Sequence, residues 1–312
     1  MKVAFVNNQI DNRGTGNALY DYAHYNEEIL GNKSVIVSLG MSAPDMGMYD
    51  KLIRRFGAVH SGWDLVTRWM GIDVIYHIKS GENDGSLEVP GARYTVHAVF
   101  NASQPHGDRY ATISEWMGDK FGVPYVPHIV QLPEPIYNIR KENEIPSNAV
   151  VFGRHGGADT FDISWAWEAV KEFSEQHDNV YFLFLNTNPP NIEFNERVIF
   201  ISPTVDDWWK SSFIHACDAM LHARSRGETF GIAVGEFAIN GKLVLTYGAS
   251  PERAHIEQLA GSQTWLYFNK QDLLRGMDAV RDRPGFPWKS GSNYTEFTPH
   301  NVMAKFKEVF LD

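Results

Sequence analysis

A single cysteine, Cys217, occurs among the 312 residues, so no disulfide can form within the chain, as suits a reducing compartment. Between Ala216 and Ala219 it reads as a small buried hydrophobe, not a reactive thiol. Long apolar runs are missing too. No stretch of about 18 apolar residues occurs to span a bilayer, and Val3-Ala4-Phe5-Val6 is broken too soon by Asn7 and Asn8 to serve as a signal peptide. A soluble, cytoplasmic protein without an integral membrane segment is therefore expected. Basic excess is absent as well. A net charge of −10 and an isoelectric point near 5.6 give bulk electrostatics no means of holding nucleic acid or an anionic membrane. What the chain does have is 43% hydrophobic and 13% aromatic residues, enough for packed cores and, at this length, for two domains.

The stretch Arg226-Gly227-Glu228-Thr229-Phe230-Gly231-Ile232-Ala233-Val234-Gly235-Glu236-Phe237, followed by Ala238-Ile239-Asn240-Gly241-Lys242 and Leu243-Val244-Leu245, predicts a loop, a helix and a strand. Thr229 is the expected N-cap and Gly241 the C-terminal stop. The helix is apolar on nearly every side, so it should be buried, and Glu236 stands out within it. Its neighbours at three and four positions are Ile232, Ala233, Ile239 and Asn240. A carboxylate there needs a hydrogen-bonding partner, a role that a ligand hydroxyl would fill. The N–H groups of Phe230, Gly231 and Ile232 make the helix start a natural phosphate site, and Gly231 lets a ligand approach the backbone. Glu236 lies about 9 Å further on at ~1.5 Å per residue. One nucleotide sugar would then lie along the segment, its sugar at Glu228, its diphosphate at the helix start and its ribose at Glu236.

The run Glu-x-Phe-Gly-Ile, the second glutamate after seven residues and the following Gly-Lys-x-Val turn resemble the E-x7-E motif of family 4 glycosyltransferases. These are retaining enzymes of the GT-B fold, two doubly wound Rossmann-like α/β domains facing a central cleft. The resemblance implies that Glu228 meets the transferred sugar, that the amides around Thr229, Phe230, Gly231 and Ile232 meet its hydroxyls and the diphosphate, and that Glu236 holds the ribose.

Other segments extend the resemblance. A strand over Lys2 to Val6 and a helix over Asn17 through Leu30 flank a polar loop containing Gly14, Thr15 and Gly16, where an open α/β sheet binds ligands. In the family this loop faces diphosphate and acceptor, with Arg13 as a candidate cation. Ser34 to Leu39, Asp73 to Ile78, Arg93 to Phe100 and Ala111 to Ser114 are further strands. His97 falls at the end of one of them, where the family places a histidine beside the donor sugar. Residues 51–70, with Arg54, Arg55, Arg68, Trp63 and Trp69, are interrupted by Gly57 and Gly62, and read as a surface segment in preference to a membrane-lying helix. Residues 123–130 resemble the family's exit from the first domain, with His128 in place of an asparagine and Gln131 in place of an acid.

The proline-rich, polar residues 133–146 read as the interdomain connection, giving a first domain over 1–145, a nucleotide-sugar domain over 146–290 and a C-terminal helix over 291–312 that crosses back to the first domain. In the second domain, strands are expected at Ala149 to Phe152, Val180 to Leu185, Arg197 to Ile201, Asp218 to His222 and Leu243 to Tyr247, with a helix from Ser164 to Gln176. Gly153-Arg154 resembles the family's start, in which the arginine touches the diphosphate, a task suited to paired guanidinium N–H groups. The lysine that normally follows is missing, leaving Arg13, Arg224 or Arg226 to supply its charge. Asp206-Asp207 reads as an acidic helix start, not a metal site.

No protein nucleophile emerges. The resemblance implies a metal-independent hexosyltransferase without a cofactor. It would move a sugar from a nucleoside diphosphate to a glycan or other hydroxyl acceptor, with His97, Arg154 and Glu228 as the catalytic set. The alternatives are a catalytically silent nucleotide-sugar-binding subunit and a nucleotide-sugar epimerase of the same fold.

Overall fold

A computed structural model describes residues 1–67, 71–85, 87, 89–259, 264–283 and 292–312. Arg68 and Trp69 lie outside the described residues. The chain divides into two compact units, Met1–Ile129 with Glu296–Asp312, and Val130–Thr295.

The first unit runs β1 (Lys2–Asn7), α1 (Gly14–Glu28), β2 (Lys33–Ser38), α2 (Met46–Phe56), β3 (Val59–Ser61), α3 (Gly62–Thr67), β4 (Val74–Lys79), β5 (Arg93–Ala98), β6 (Arg109–Thr112) and α4 (Glu115–Phe121). Its six strands are parallel, in the order β3-β2-β1-β4-β5-β6. Unbroken apolar runs such as Val3-Ala4-Phe5-Val6, each 0% exposed, suit strands covered on both faces. One face packs Ala4, Val6, Val35, Val37, Ile75 and Val96. The other carries Phe5, Tyr22 and Tyr76 around Phe306, whose ring lies 5.2 Å from that of Tyr22. Phe306 belongs to the chain's last helix, described below.

The second unit runs α5 (Ile139–Glu142), β7 (Val150–Arg154), α6 (Ser164–Gln176), β8 (Val180–Leu185), β9 (Val198–Ile201), α7 (Asp207–Ala216), β10 (Ala219–His222), β11 (Gly227–Glu228), α8 (Ile232–Ile239), β12 (Leu243–Tyr247), β13 (Glu252–Arg253), α9 (Ala254–Leu259), β14 (Thr264–Tyr267) and α10 (Lys270–Arg281). Its main sheet is again parallel, in the order β14-β12-β10-β7-β8-β9, while β11 and β13 form a two-stranded parallel ladder of their own. The core is aromatic. Phe152 stacks on Phe182 at 5.2 Å and Phe184 on Phe200 at 5.4 Å, with Trp167 alongside.

The last helix, α11 (Pro299–Phe306), belongs to the first unit. Thr298 caps it, its side chain accepting from Asn301 N, with Pro299 in the first turn. Residues Lys307–Leu311 continue it as a π-turn, and Val302, Phe306 and Phe310 are buried while Val309 is only partly so. The wider winding moves Val309 off the stripe that α-helical spacing predicts.

Residues expected to link the domains are tied into the second unit. Arg140 donates to Ala216 O at 2.9 Å, Ala149 O at 2.7 Å and the Asp218 carboxylate at 2.9 Å. Asp206 caps α7 by accepting from Trp208 N and Trp209 N, as an acidic helix start should. In the surface segment Arg55 pairs with Glu27 and Glu28, and Trp63 is 76% exposed.

Candidate functional site

In each main sheet the strand order reverses once, between β1 and β4 in the first and between β7 and β10 in the second. Open α/β sheets bind ligands outside the carboxyl ends of strands at such points. In the second unit those ends deliver Arg154 and His155 from β7, His222 from β10 and Thr246 from β12.

Glu228 is set in a strand, not in a free loop. Gly227 and Glu228 pair with Glu252 and Arg253, and Gly227 has a φ of +79°. A Cβ on Gly227 would stand 1.9 Å from Glu252 O, so only glycine lets the two segments approach this closely. One carboxylate oxygen of Glu228 accepts from Arg224 Nη1 at 2.6 Å and the other faces His222 Nε2 at 3.2 Å. Burial works to raise its pKa, but the His222 hydrogen bond and the Arg224 charge outweigh it and hold the group at about 2.

Between the two glutamates, α8 starts later than the sequence predicts. Thr229 is not its cap. Gly231 is, in the left-handed region with φ 86° and ψ 63°, and no side chain caps the helix. Such a start leaves the first N–H groups without an intrahelical acceptor. A Cβ on Gly231 would lie 3.1 Å from His255 Cβ and 3.1 Å from Tyr294 Oη. Tyr294 donates its hydroxyl to Phe230 O, fixing the bend before the helix. Thr229 and Phe230 are buried, and Ile232 is half-buried.

Glu236 is buried, its side chain 4% exposed, and it has protein partners that its own helix does not supply. Lys210 Nζ from α7 stands 2.6 Å from one oxygen and His155 Nε2 stands 2.9 Å from the other. Burial acts to raise its pKa, yet the Lys210 charge and then His155 hold it at about 2. His155 stacks 5.7 Å from Phe237, and burial lowers its own pKa against the pull of Glu236.

Two residues of the expected catalytic set are enclosed by protein partners. Arg154 is only 3% exposed and spends both terminal nitrogens on protein acceptors, Asn186 O at 3.0 Å and Thr187 Oγ1 through Nη1, Gly157 O and Thr160 Oγ1 at 2.6 Å each through Nη2. It fastens the loops after β7 and β8, and burial takes its pKa down to about 10. His97 is 0% exposed. Its Nδ1 meets Tyr76 Oη at 2.6 Å, and its Nε2 meets Thr112 O at 3.1 Å and Val126 O at 3.0 Å. With burial lowering its pKa to about 4, it is a neutral core histidine whose ring nitrogens both have protein partners. Its enclosure comes from the π-turn that follows α11. Phe310 covers the ring at 5.1 Å, a contact between residues far apart in sequence.

Gly14, Thr15 and Gly16 form the first turn of α1, which begins three residues before the predicted Asn17. Arg13 is its N-cap without a side-chain cap bond. A Cβ on Gly16 would stand 2.0 Å from Asp11 O, so the loop folds back tightly onto the helix start. These residues lie in the first unit, and the glutamates in the second.

Among the described residues no three His, Cys, Asp or Glu side chains cluster as a metal site, and no helix is long and apolar enough to cross a membrane. Sequence reasoning missed Lys210, His155, His222, Thr246 and His255. None belongs to a motif, and only the ladders and the packing of α7 bring them to the glutamates.

No family profile and no curated protein matches the chain. Solved structures do. HepE from Anabaena, in complex with UDP and glucose, is 13% identical with a TM-score of 0.72, covering 99% of this chain and 98% of its own. A sucrose-phosphate synthase from Thermosynechococcus elongatus is 11% identical with a TM-score of 0.68, covering 99% and 98%. A glycosyltransferase from Rickettsia africae ESF-5 is 12% identical with a TM-score of 0.62, covering 100% and 99%. The fold is the GT-B type, with two Rossmann-like α/β units.

Proposed function

We propose that the chain is a retaining, metal-independent glycosyltransferase. It takes a hexose from a nucleoside diphosphate, uridine diphosphate first among them, and places it on a glycan or other hydroxyl acceptor in the cytoplasm. The observation that carries the reading is the pair of ionised glutamates, one just before and one within a helix that begins at a left-handed glycine. Glu228, acceptor-only and with lone pairs remaining on both oxygens, takes the hydroxyls of a neutral sugar. The N–H groups of α8 take the diphosphate. Glu236 takes ribose hydroxyls on the lone pairs that Lys210 and His155 leave. The Anabaena HepE structure, which holds UDP and glucose, supports the choice of nucleotide.

Leaving-group charge needs a cation, and Arg224 is better placed for it than Arg154. It sits on Glu228 with its side chain 19% exposed, while the Arg154 guanidinium is spent on loop carbonyls and hydroxyls. The donor phosphate accepts the acceptor's proton on the face that the diphosphate leaves, and Arg224 with the helix amides stabilises the departing charge. The spent Arg154 and the missing lysine favour one second reading, a subunit that binds nucleotide sugar without turning it over.

The test is calorimetry with UDP and UDP-glucose, then turnover in EDTA with the product anomer followed by NMR. Glu236→Ala should weaken both ligands, and Glu228→Ala should weaken UDP-glucose while sparing UDP. Transfer should survive chelation with retained configuration. The reverse binding pattern would invert the ligand's direction along α8, and binding without turnover of any donor would leave the silent subunit.

A further inference from the structure

Behind Glu228 lies a buried row of side chains that donor binding does not itself require. His222 Nδ1 is 2.8 Å from Thr246 Oγ1, and Thr246 Oγ1 is 3.0 Å from His255 Nε2. His222 is 7% exposed, and Thr246 and His255 are 0% exposed. The ladder itself makes the first link, because His222 and Thr246 are register partners in neighbouring parallel strands. Tyr267 donates its hydroxyl to His222 O at 2.7 Å and holds the main chain at the same residue.

We propose that His222 is a positioning residue for Glu228, its ring held in one tautomer and one orientation by a one-way chain of hydrogen bonds from His255 through Thr246. The proposal rests on the reading of Glu228 as the sugar-facing group. With the His222 ring neutral, as the proposal holds, proton inventory sets the direction. An ionised carboxylate only accepts, so Nε2 of His222 carries hydrogen. In a neutral ring Nδ1 is then a lone pair, and its hydrogen-bond partner, the Thr246 hydroxyl, donates to it. The hydroxyl oxygen in turn accepts from Nε2–H of His255, which burial keeps neutral with a pKa of about 3. Every donor in the row points toward Glu228. Turning the His222 ring would break bonds at both nitrogens of a buried side chain, where a lost partner is costly.

The consequence for substrate is specific. Arg224 and His222 each take one oxygen of Glu228, so the carboxylate plane cannot rotate. What remains is a fixed pair of acceptors, one on each oxygen. That suits a sugar presenting two adjacent free hydroxyls and rejects one whose hydroxyls there are blocked or replaced by a charged acid.

The experiment uses the whole protein labelled with 15N at histidine, with the His222→Gln spectrum assigning the residue, alongside Thr246→Val and Thr246→Ser. At neutral pH, His222 and His255 should both show hydrogen on Nε2 only. Thr246→Val should leave UDP affinity within about twofold while lowering turnover of the best donor about tenfold, as one lost buried hydrogen bond implies. Thr246→Ser should restore it. Hydrogen on Nδ1 of His222, whether as the other tautomer or as an imidazolium, would overturn the chain, as would equal turnover in the valine and serine variants. If the parent turns over no donor, the spectra decide alone. The expected tautomers would keep the chain while the transferase reading falls, and the other tautomer would remove the chain whatever the activity.

Discussion

A carboxylate enclosed by protein must be neutralised by a proton or by its neighbours, and Glu228 and Glu236 take the second course by different routes. Glu228 is met by the imidazole at the end of β10 and a guanidinium from the segment that follows it, Glu236 by an ammonium from α7 and an imidazole from the loop after β7. This separates Arg154, which the sequence resemblance puts on the diphosphate, from Arg224, which it offers only as a replacement charge. Arg224→Ala should lower kcat more than it weakens donor binding, because a group that meets charge developing on the leaving diphosphate matters most in the transition state. An oxyanion-type donor is worth about 2.7–4 kcal/mol, so a loss on the order of a hundredfold is expected. Arg154→Ala should instead lower thermal stability by loosening two loops. Steady-state kinetics and melting curves on the pair check this, and an effect on kcat from Arg154 alone would reverse the assignment. The two glutamates could be singled out in the sequence because their spacing and the glycine between them are local. Lys210 was not, since it stands 26 positions and two strands before its partner and only the fold brings α7 against α8.

At the scale of elements, the chain's alternation of apolar runs and polar breaks located the strands well, and α6, β8 and β12 coincide with the segments expected. Helix starts were less legible. A threonine ahead of an apolar run is the usual cap, but here Gly227 and Glu228 are drawn into a ladder with β13, which delays α8 until Gly231. The same ladder makes a prediction. Gly227→Ala must find room for a Cβ 1.9 Å from Glu252 O and adopt a left-handed φ of +79°, which by itself costs about 1–2 kcal/mol. Gly241→Ala pays only for its φ of +70°, since nothing lies within 4 Å of the added atom. Thermal unfolding should show Gly227→Ala clearly the worse of the two, with UDP-glucose binding reduced as Glu228 moves. Equal melting temperatures would mean that the ladder is not held this tightly.

For the whole molecule, buried neutral histidines set the response to acid. Burial lowers the pKa of His97 to about 4 and those of His77 and His255 to about 3, and it lowers that of His128 as well, where Phe306, Tyr22 and the sheet enclose the ring cluster of the first unit. A histidine whose folded pKa is depressed contributes stability in full above its unfolded value near 6.5, and loses it as pH falls toward the folded value. For His97, a drop from 6.5 to about 4 corresponds to roughly 3 kcal/mol. Glu228 and Glu236, held at about 2, act in the same direction at lower pH, losing their contribution as pH falls below 4.5. Melting temperature should therefore be flat above pH 7 and fall steeply from about pH 6.5 toward pH 4, before the carboxylates titrate. A fall that began only below pH 4.5 would take the histidines out of the account.

The lone thiol has a use of its own. Cys217 is 1% exposed, donates to Phe213 O at 3.1 Å and is pushed up to about 12 by burial, while a Cβ on neighbouring Gly153 would sit 2.2 Å from its sulfur. A thiol reagent can reach it only when the β7–α7 region of the second unit opens, so alkylation at a fixed pH becomes a clock for that opening, blind to the first unit. Any small molecule that binds the closed second unit slows the clock by a factor of one plus its concentration over its Kd. A labelling time course therefore ranks nucleotides by affinity before a substrate or an acceptor is known.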